Sequence, residues 1–186
     1  MTIKNKLICH SGTACTAVQS LNVELGIQPN GNLRLRYELA GDPAQLRIPA
    51  PLSPEMTDGL WQHTCFEAFI AVEGNDGYHE FNFSPSGQWA TYAFRGYRVH
   101  RDWAASRTPG INFSLTDERL LLEADIAAED LPSNVRNKPF QLGLAAVIET
   151  ADGQRSYWAL HHPAANPDFH HRGGFVQSFK TATFIN

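Results

Sequence analysis

Alternation of apolar and polar residues, in short runs cut apart by turn formers, most narrows the folds open to this chain. Leu33, Leu35, Tyr37 and Leu39 alternate with Arg34, Arg36 and Glu38. In an extended chain successive side chains point to opposite faces, so this run offers one face to a core and one to water. Asn30-Gly31-Asn32 supplies the turn before it, and Gly41-Asp42-Pro43 closes it. Val18 to Ile27 then reads as the first strand of a hairpin. His63 to Glu73 is the next strong run, followed by the hairpin turn Gly74-Asn75-Asp76-Gly77. Tyr78 to Ser84 pairs back, with Phe81 and Phe83 on one face and Glu80, Asn82 and Ser84 on the other. After Pro85-Ser86-Gly87 come Trp89 to Phe94, Gly110 to Leu115, Arg119 to Ile126, Phe140 to Thr150, Ser156 to Leu160 and Phe175 to Phe184.

No segment sustains an apolar period of 3.6, and Ala127 to Leu131 reads as a single helical turn ended by Pro132. Ile48 to Pro54 is a proline-rich loop leading to Asp58-Gly59-Leu60-Trp61. No internal repeat or Gly/Ser/Pro-rich linker divides the chain. About ten strands at this spacing predict an all-β antiparallel sandwich or jelly roll. We read residues 1–186 as one domain, with 1–17 as an N-terminal extension. A chain of 186 residues can bury about 70% of its unfolded surface in one core.

The formal net charge of −4 gives no general attraction for phosphate backbones or anionic lipid, so neither nucleic acid nor membrane is an expected partner. Leu7-Ile8-Cys9 is too short for the apolar region of a secretory signal, and no run approaches the ~20 apolar residues of a membrane span. A cytoplasmic location is the expectation. Cys9, Cys15 and Cys65 cannot all pair within one chain; reduced thiols are expected, with a local Cys9–Cys15 bridge as the alternative.

Trp61 follows a turn just before a strand, where a side chain can stand at a sheet rim or enter the core; Trp89 and Trp158, inside strand runs, fit core packing. Trp103 sits among charges and could cap the sandwich edge. Glu67 lies among Phe66, Ala68, Phe69 and Ile70, so its carboxylate needs partners or a groove. Asn82 and Ser84 share a face of the neighbouring strand, either an ordinary solvated face or a place where a hydroxylated ligand would find amide, hydroxyl and carboxylate together. His161-His162 and His170-His171 are adjacent pairs whose members point oppositely on a strand, so each offers one metal ligand at most in the simplest geometry. There is no H-E-x-x-H, G-x-S-x-G, Walker loop or dinucleotide turn. No catalytic residue is assigned, and an enzyme is not expected.

Trp61-Gln62-His63-Thr64-Cys65-Phe66-Glu67-Ala68-Phe69 resembles carbohydrate-binding module family nine, and within that relationship the bacterial DOMON-like proteins. The resemblance continues through Tyr78-His79-Glu80-Phe81-Asn82-Phe83-Ser84-Pro85-Ser86-Gly87-Gln88-Trp89, Tyr157-Trp158-Ala159-Leu160 and Pro167-Asp168-Phe169-His170-His171, covering about Leu21 to Phe184. It implies an immunoglobulin-like or jelly-roll β-sandwich holding a mono- or oligosaccharide between two aromatic rings. Trp61 matches the first ring and Phe169 the position of the second, which is tryptophan in the sugar-binding modules. Glu67 matches an acid that hydrogen-bonds sugar hydroxyls, while Asn82 stands in place of arginine and Ser84 in place of asparagine. The resemblance also brings a structural calcium ion, whose ligands the sequence does not locate; no cofactor is otherwise expected. Two other readings stand beside it. One is a haem-binding DOMON-type domain using Met56 with His161 or His162, and the other an intracellular interaction domain without a small-molecule ligand.

Overall fold

A computed structural model describes residues 2–134 and 137–180 of the chain. Twelve strands run through them: β1 Thr2–Cys9, β2 Val18–Ile27, β3 Leu33–Gly41, β4 Cys65–Val72, β5 Tyr78–Phe83 and β6 Trp89–Gly96 in the first half. The second half holds β7 Val99–Arg101, β8 Gly110–Leu115, β9 Arg119–Ile126, β10 Phe140–Glu149, β11 Arg155–Ala159 and β12 Gln177–Phe179. Helix is confined to 3-10 turns, one of them at Ala128–Asp130, within the segment read as a helical turn. The run expected to reach Phe184 forms β12, and its last residues lie outside those described.

The strands form two antiparallel layers, β1-β2-β3-β9-β8 and β7-β6-β5-β4-β10-β11, with β12 also paired to β10. β1 belongs to both: Thr2 to Leu7 pair with β2, and Ile8 and Cys9 pair with β11. The chain is therefore an all-β sandwich whose layers are joined along one edge. Its main core comes from the facing sides: Leu33, Leu35, Tyr37, Leu39, Leu120 and Leu122 from one layer, Phe66, Ile70, Phe81, Phe83, Leu142 and Leu144 from the other. Tyr37 crosses between the layers, its ring 5.1 Å from that of Phe66 and its hydroxyl donating to the Glu67 carbonyl at 2.9 Å.

Two strands exceed the ten runs read from sequence. β1 lies within the segment read as an N-terminal extension; its apolar residues, Ile3 and then Leu7, Ile8 and Cys9 in succession, are separated by Lys4, Asn5 and Lys6 and do not alternate cleanly, yet Leu7 is fully buried. β7 has three exposed residues and no burial pattern to betray it. All three cysteines are free. Trp158 enters the core and donates from Nε1 to Ser156 Oγ at 3.0 Å, and Trp103 lies over His79 with ring centroids 4.1 Å apart.

The outer faces of the two layers differ, and that difference positions the site. On the β2-β3-β9 layer the outward side chains form an ion-pair lattice: Lys4–Glu24, Arg36–Glu38, Arg119–Glu38 and Arg34–Asp125 at 2.6–3.1 Å. This is a solvated face, whose pairs add little stability each. On the other layer every residue of β4 and β5 is buried, outward ones included. Phe69, Ala71, Tyr78, Phe94, Ala145, Ala159 and Phe175 form a second apolar cluster there, under the segment that follows β11.

Candidate functional site

The floor of the site follows from strand register. Glu67 on β4 sits opposite Asn82 on β5 and Ala145 on β10, and Glu80, one pleat along β5, sits between Phe69 and Tyr92. All of these project from the outer face. Two segments from distant parts of the chain rise beside them. The first is the 3-10 turn Leu60–Gln62, entered through Gly59 at φ 78°, a left-handed conformation that costs glycine no steric penalty. Its Trp61 is 48% exposed. The second runs from Pro167 to His170, and Phe169 from it rests half-buried against Phe69, Tyr157 and His162 with centroids 6.1–6.5 Å apart.

Between these walls lies an open groove of about 790 Å³, lined by Trp61, Glu67, Glu80, Tyr92, Phe94, Arg98, His100, Val147, Tyr157, Phe169 and His170 among others. Such a volume falls in the range of small-molecule pockets. The second wall is latched to the β6–β7 turn. Asp168 accepts from Tyr97 Oη at 2.7 Å and from Arg98 Nη2 at 2.9 Å, and Tyr78 Oη meets His170 Nδ1 at 2.9 Å. Arg98 holds φ 54°, unusual for a residue with a side chain, and its backbone N–H donates to Tyr78 Oη.

The electrostatics of the floor are set by burial. Glu67 is 3% exposed, and its Oε1 has no hydrogen-bond partner among the described residues. Burial first, then the charge of Glu80, pushes the Glu67 carboxyl well above the usual carboxylate range. Glu80 is pushed up to about 7 by burial, against the opposing pull of the Asn82 hydrogen bond and the Arg98 charge. Asn82 Nδ2 donates to Glu80 Oε1 at 2.8 Å, leaving Asn82 Oδ1 buried and unpartnered. His170 is pushed down to about 4 by burial and then by Arg98, so it is neutral at physiological pH. At the mouth, Tyr92 Oη donates to Asp58 Oδ1 at 2.7 Å.

Of the residues read from sequence, Trp61, Glu67 and Phe169 line this groove, while Asn82, opposite Glu67 on β5, is fully buried beneath it and does not line it. Ser84 lies elsewhere: its Oγ accepts from the backbone N–H and hydroxyl of Ser86, holding the β5–β6 turn. Glu80, Tyr92 and Arg98 are additions to the set read from sequence, and His170, read there as a candidate metal ligand, lines the groove instead. The face shared by Glu80, Asn82 and Ser84 is a usable signal for Glu80, whereas Arg98 arrives through long-range contacts that no local pattern encodes.

Met56 bridges Trp89 beyond β6, while His161 and His162 follow β11. Five strand spacings, on the order of 24 Å, separate these places along the sheet. Among the described residues no group of three or more His, Cys, Asp or Glu gathers to hold a metal ion. No helix among them is long and apolar enough to cross a membrane.

No protein family's sequence profile matches the chain, and no curated protein sequence does. Solved structures do share its fold. A Bacteroides uniformis protein assigned to carbohydrate binding superposes with a TM-score of 0.66 at 15% identity, over 96% of this chain and 85% of that one. A family nine carbohydrate-binding module from Caldicellulosiruptor kristjanssonii, solved with cellotriose, gives 0.63 at 13% identity over 96% and 82%. A family nine module from the same organism with glucose gives 0.61 at 13% identity over 90% and 78%. At these identities the likeness establishes the sandwich fold.

Proposed function

We propose that this chain is a non-catalytic carbohydrate-binding domain, DOMON-like and related to module family nine, that holds a sugar ring between Trp61 and Phe169. The observation that carries this reading is the groove itself: an exposed indole at one wall, a phenyl ring at the other, and an unpartnered buried carboxyl oxygen on the floor. A pyranose presents a face of C–H groups suited to an aromatic plane, and its hydroxyls suit acceptors that lack donors. Glu67 Oε1 and Asn82 Oδ1 are such acceptors. A hydrogen bond contributes about 0.5–1.5 kcal/mol between neutral groups and about 1.5–3 kcal/mol to a charged one, and a few of these with two stacked rings suit affinities from about 1 mM to 10 μM. The likeness to structures holding cellotriose and glucose supports the same ligand class. Screening the purified protein on an array of mono- and oligosaccharides tests this: selective retention of a sugar subset is expected, and an array without retention contradicts it.

A further inference from the structure

Buried oxygens under the groove are left without partners among the described residues. Glu67 Oε1 and Asn82 Oδ1 are buried without partners, and Asn82 Nδ2 is already given to Glu80 Oε1. Glu80 Oε2 lies 3.7 Å from His170 Nε2, beyond hydrogen-bond length. A sugar hydroxyl brings one proton together with lone pairs that need donors of their own; an ammonium group brings three donors and no lone pair.

The surrounding charges point the same way. Asp58, Glu67 and Glu80 line the groove against one guanidinium, that of Arg98, which Asp168 already pairs. Of the imidazoles, His170 is held neutral by burial, and His100 packs beside Phe94 with centroids 4.6 Å apart. Trp61, Tyr92 and Phe94 add π faces, which attract a cation.

We infer that the groove selects an amino sugar, seating its ammonium group beside the carboxyl groups of Glu67 and Glu80. This rests on the carbohydrate reading and narrows its substrate class. Burial holds both carboxyls toward their protonated forms when the groove is empty, so a bound ammonium must drive a proton off them. Binding then releases a proton to solvent and strengthens with rising pH for as long as the amine stays charged.

Isothermal titration of the full chain with glucosamine, glucose and N-acetylglucosamine separates the possibilities. Glucosamine should bind at least about tenfold more tightly than glucose, the usual margin of a charge-assisted over a neutral hydrogen bond. N-acetylglucosamine, which lacks the charge, should lose that margin. The glucosamine heat should also differ between buffers of different ionisation enthalpy at about pH 7, reporting the released proton. Glu80→Gln should bring the ratio of glucosamine to glucose affinity down to about one; should that variant fold poorly, the wild type is titrated at about pH 6 and about pH 7, where glucosamine affinity should rise relative to that of glucose. Equal binding of glucosamine and glucose, or a preference that survives Glu80→Gln or does not grow with pH, overturns the amine inference and leaves the carbohydrate reading intact. No binding of any of the three sugars removes the carbohydrate reading, and this inference with it.

Discussion

Glu80 is the residue at which burial and function meet most directly. A carboxyl whose pKa is about 7 in the folded protein and near 4.5 outside it prefers the fold when protonated. Its contribution is therefore fully present below about pH 4.5 and is lost as pH rises through about 7. His170 works in the opposite sense: pushed down to about 4, it favours the fold above its ordinary value and loses that contribution as pH falls. Comparing Glu80→Gln with the wild type isolates the first effect. The variant should gain in relative melting temperature as pH climbs from about 5 to about 8, by an amount on the order of 3 kcal/mol at the upper end. A melting difference that stays flat over that range would show that Glu80 is ionised without penalty. Tyr37 offers a second residue-scale test, since its buried hydroxyl donates to the Glu67 carbonyl. Tyr37→Phe should cost about 1–3 kcal/mol in a denaturant titration, the price of stranding a buried acceptor.

Strands legible in the sequence are those whose outer face meets water. β3 alternates cleanly because Arg34, Arg36 and Glu38 sit in the ion-pair lattice while their neighbours are fully buried. β4 and β10 blur that pattern, since apolar clusters cover both of their faces. Glu67 stood out as one acid in an apolar run, and Trp61 as an indole after a turn. The groove's other wall is legible only through the resemblance, at Phe169; the latch of Asp168 to Tyr97 and Arg98 that holds it spans about 70 residues of sequence, beyond any local pattern. β1, which joins the two layers, escapes the sequence reading because its apolar residues, Ile3 and Leu7-Ile8-Cys9, break the alternation. Its weight can be measured: Leu7→Ala should destabilise the protein by about 2–5 kcal/mol, as for any packed leucine, where a loose extension would give less than about 0.5. The covering segment depends on a close approach at Gly143, where an added Cβ would lie 2.9 Å from the Phe175 ring. Gly143→Ala should therefore displace Phe175 and, with it, the wall bearing Phe169, weakening sugar binding at least severalfold while β10 keeps its pairing. Titration of glucose into that variant and a circular dichroism spectrum check both halves of the expectation.

At the scale of the whole molecule, the sandwich divides its labour between its two outer faces. One carries paired charges and meets solvent; the other is closed over by the turn at Trp61 and the segment at Phe169, leaving a groove with buried acids beneath. That asymmetry explains why a domain without a recognisable catalytic motif still buries carboxyls at an energetic disadvantage: a ligand can satisfy what the fold leaves open. Trp61 bears the claim most fully, being a large aromatic side chain that the sandwich leaves half in water. The decisive measurement is a calorimetric titration of glucose into the wild type and Trp61→Ala, with melting temperatures taken on both. The account predicts that the wild type binds with Kd between about 1 mM and 10 μM, that the variant shows no binding, and that the two melt within about 2 °C of each other. Undiminished binding by the variant, or a loss of about 3–5 kcal/mol in its stability as for a packed aromatic, would contradict it.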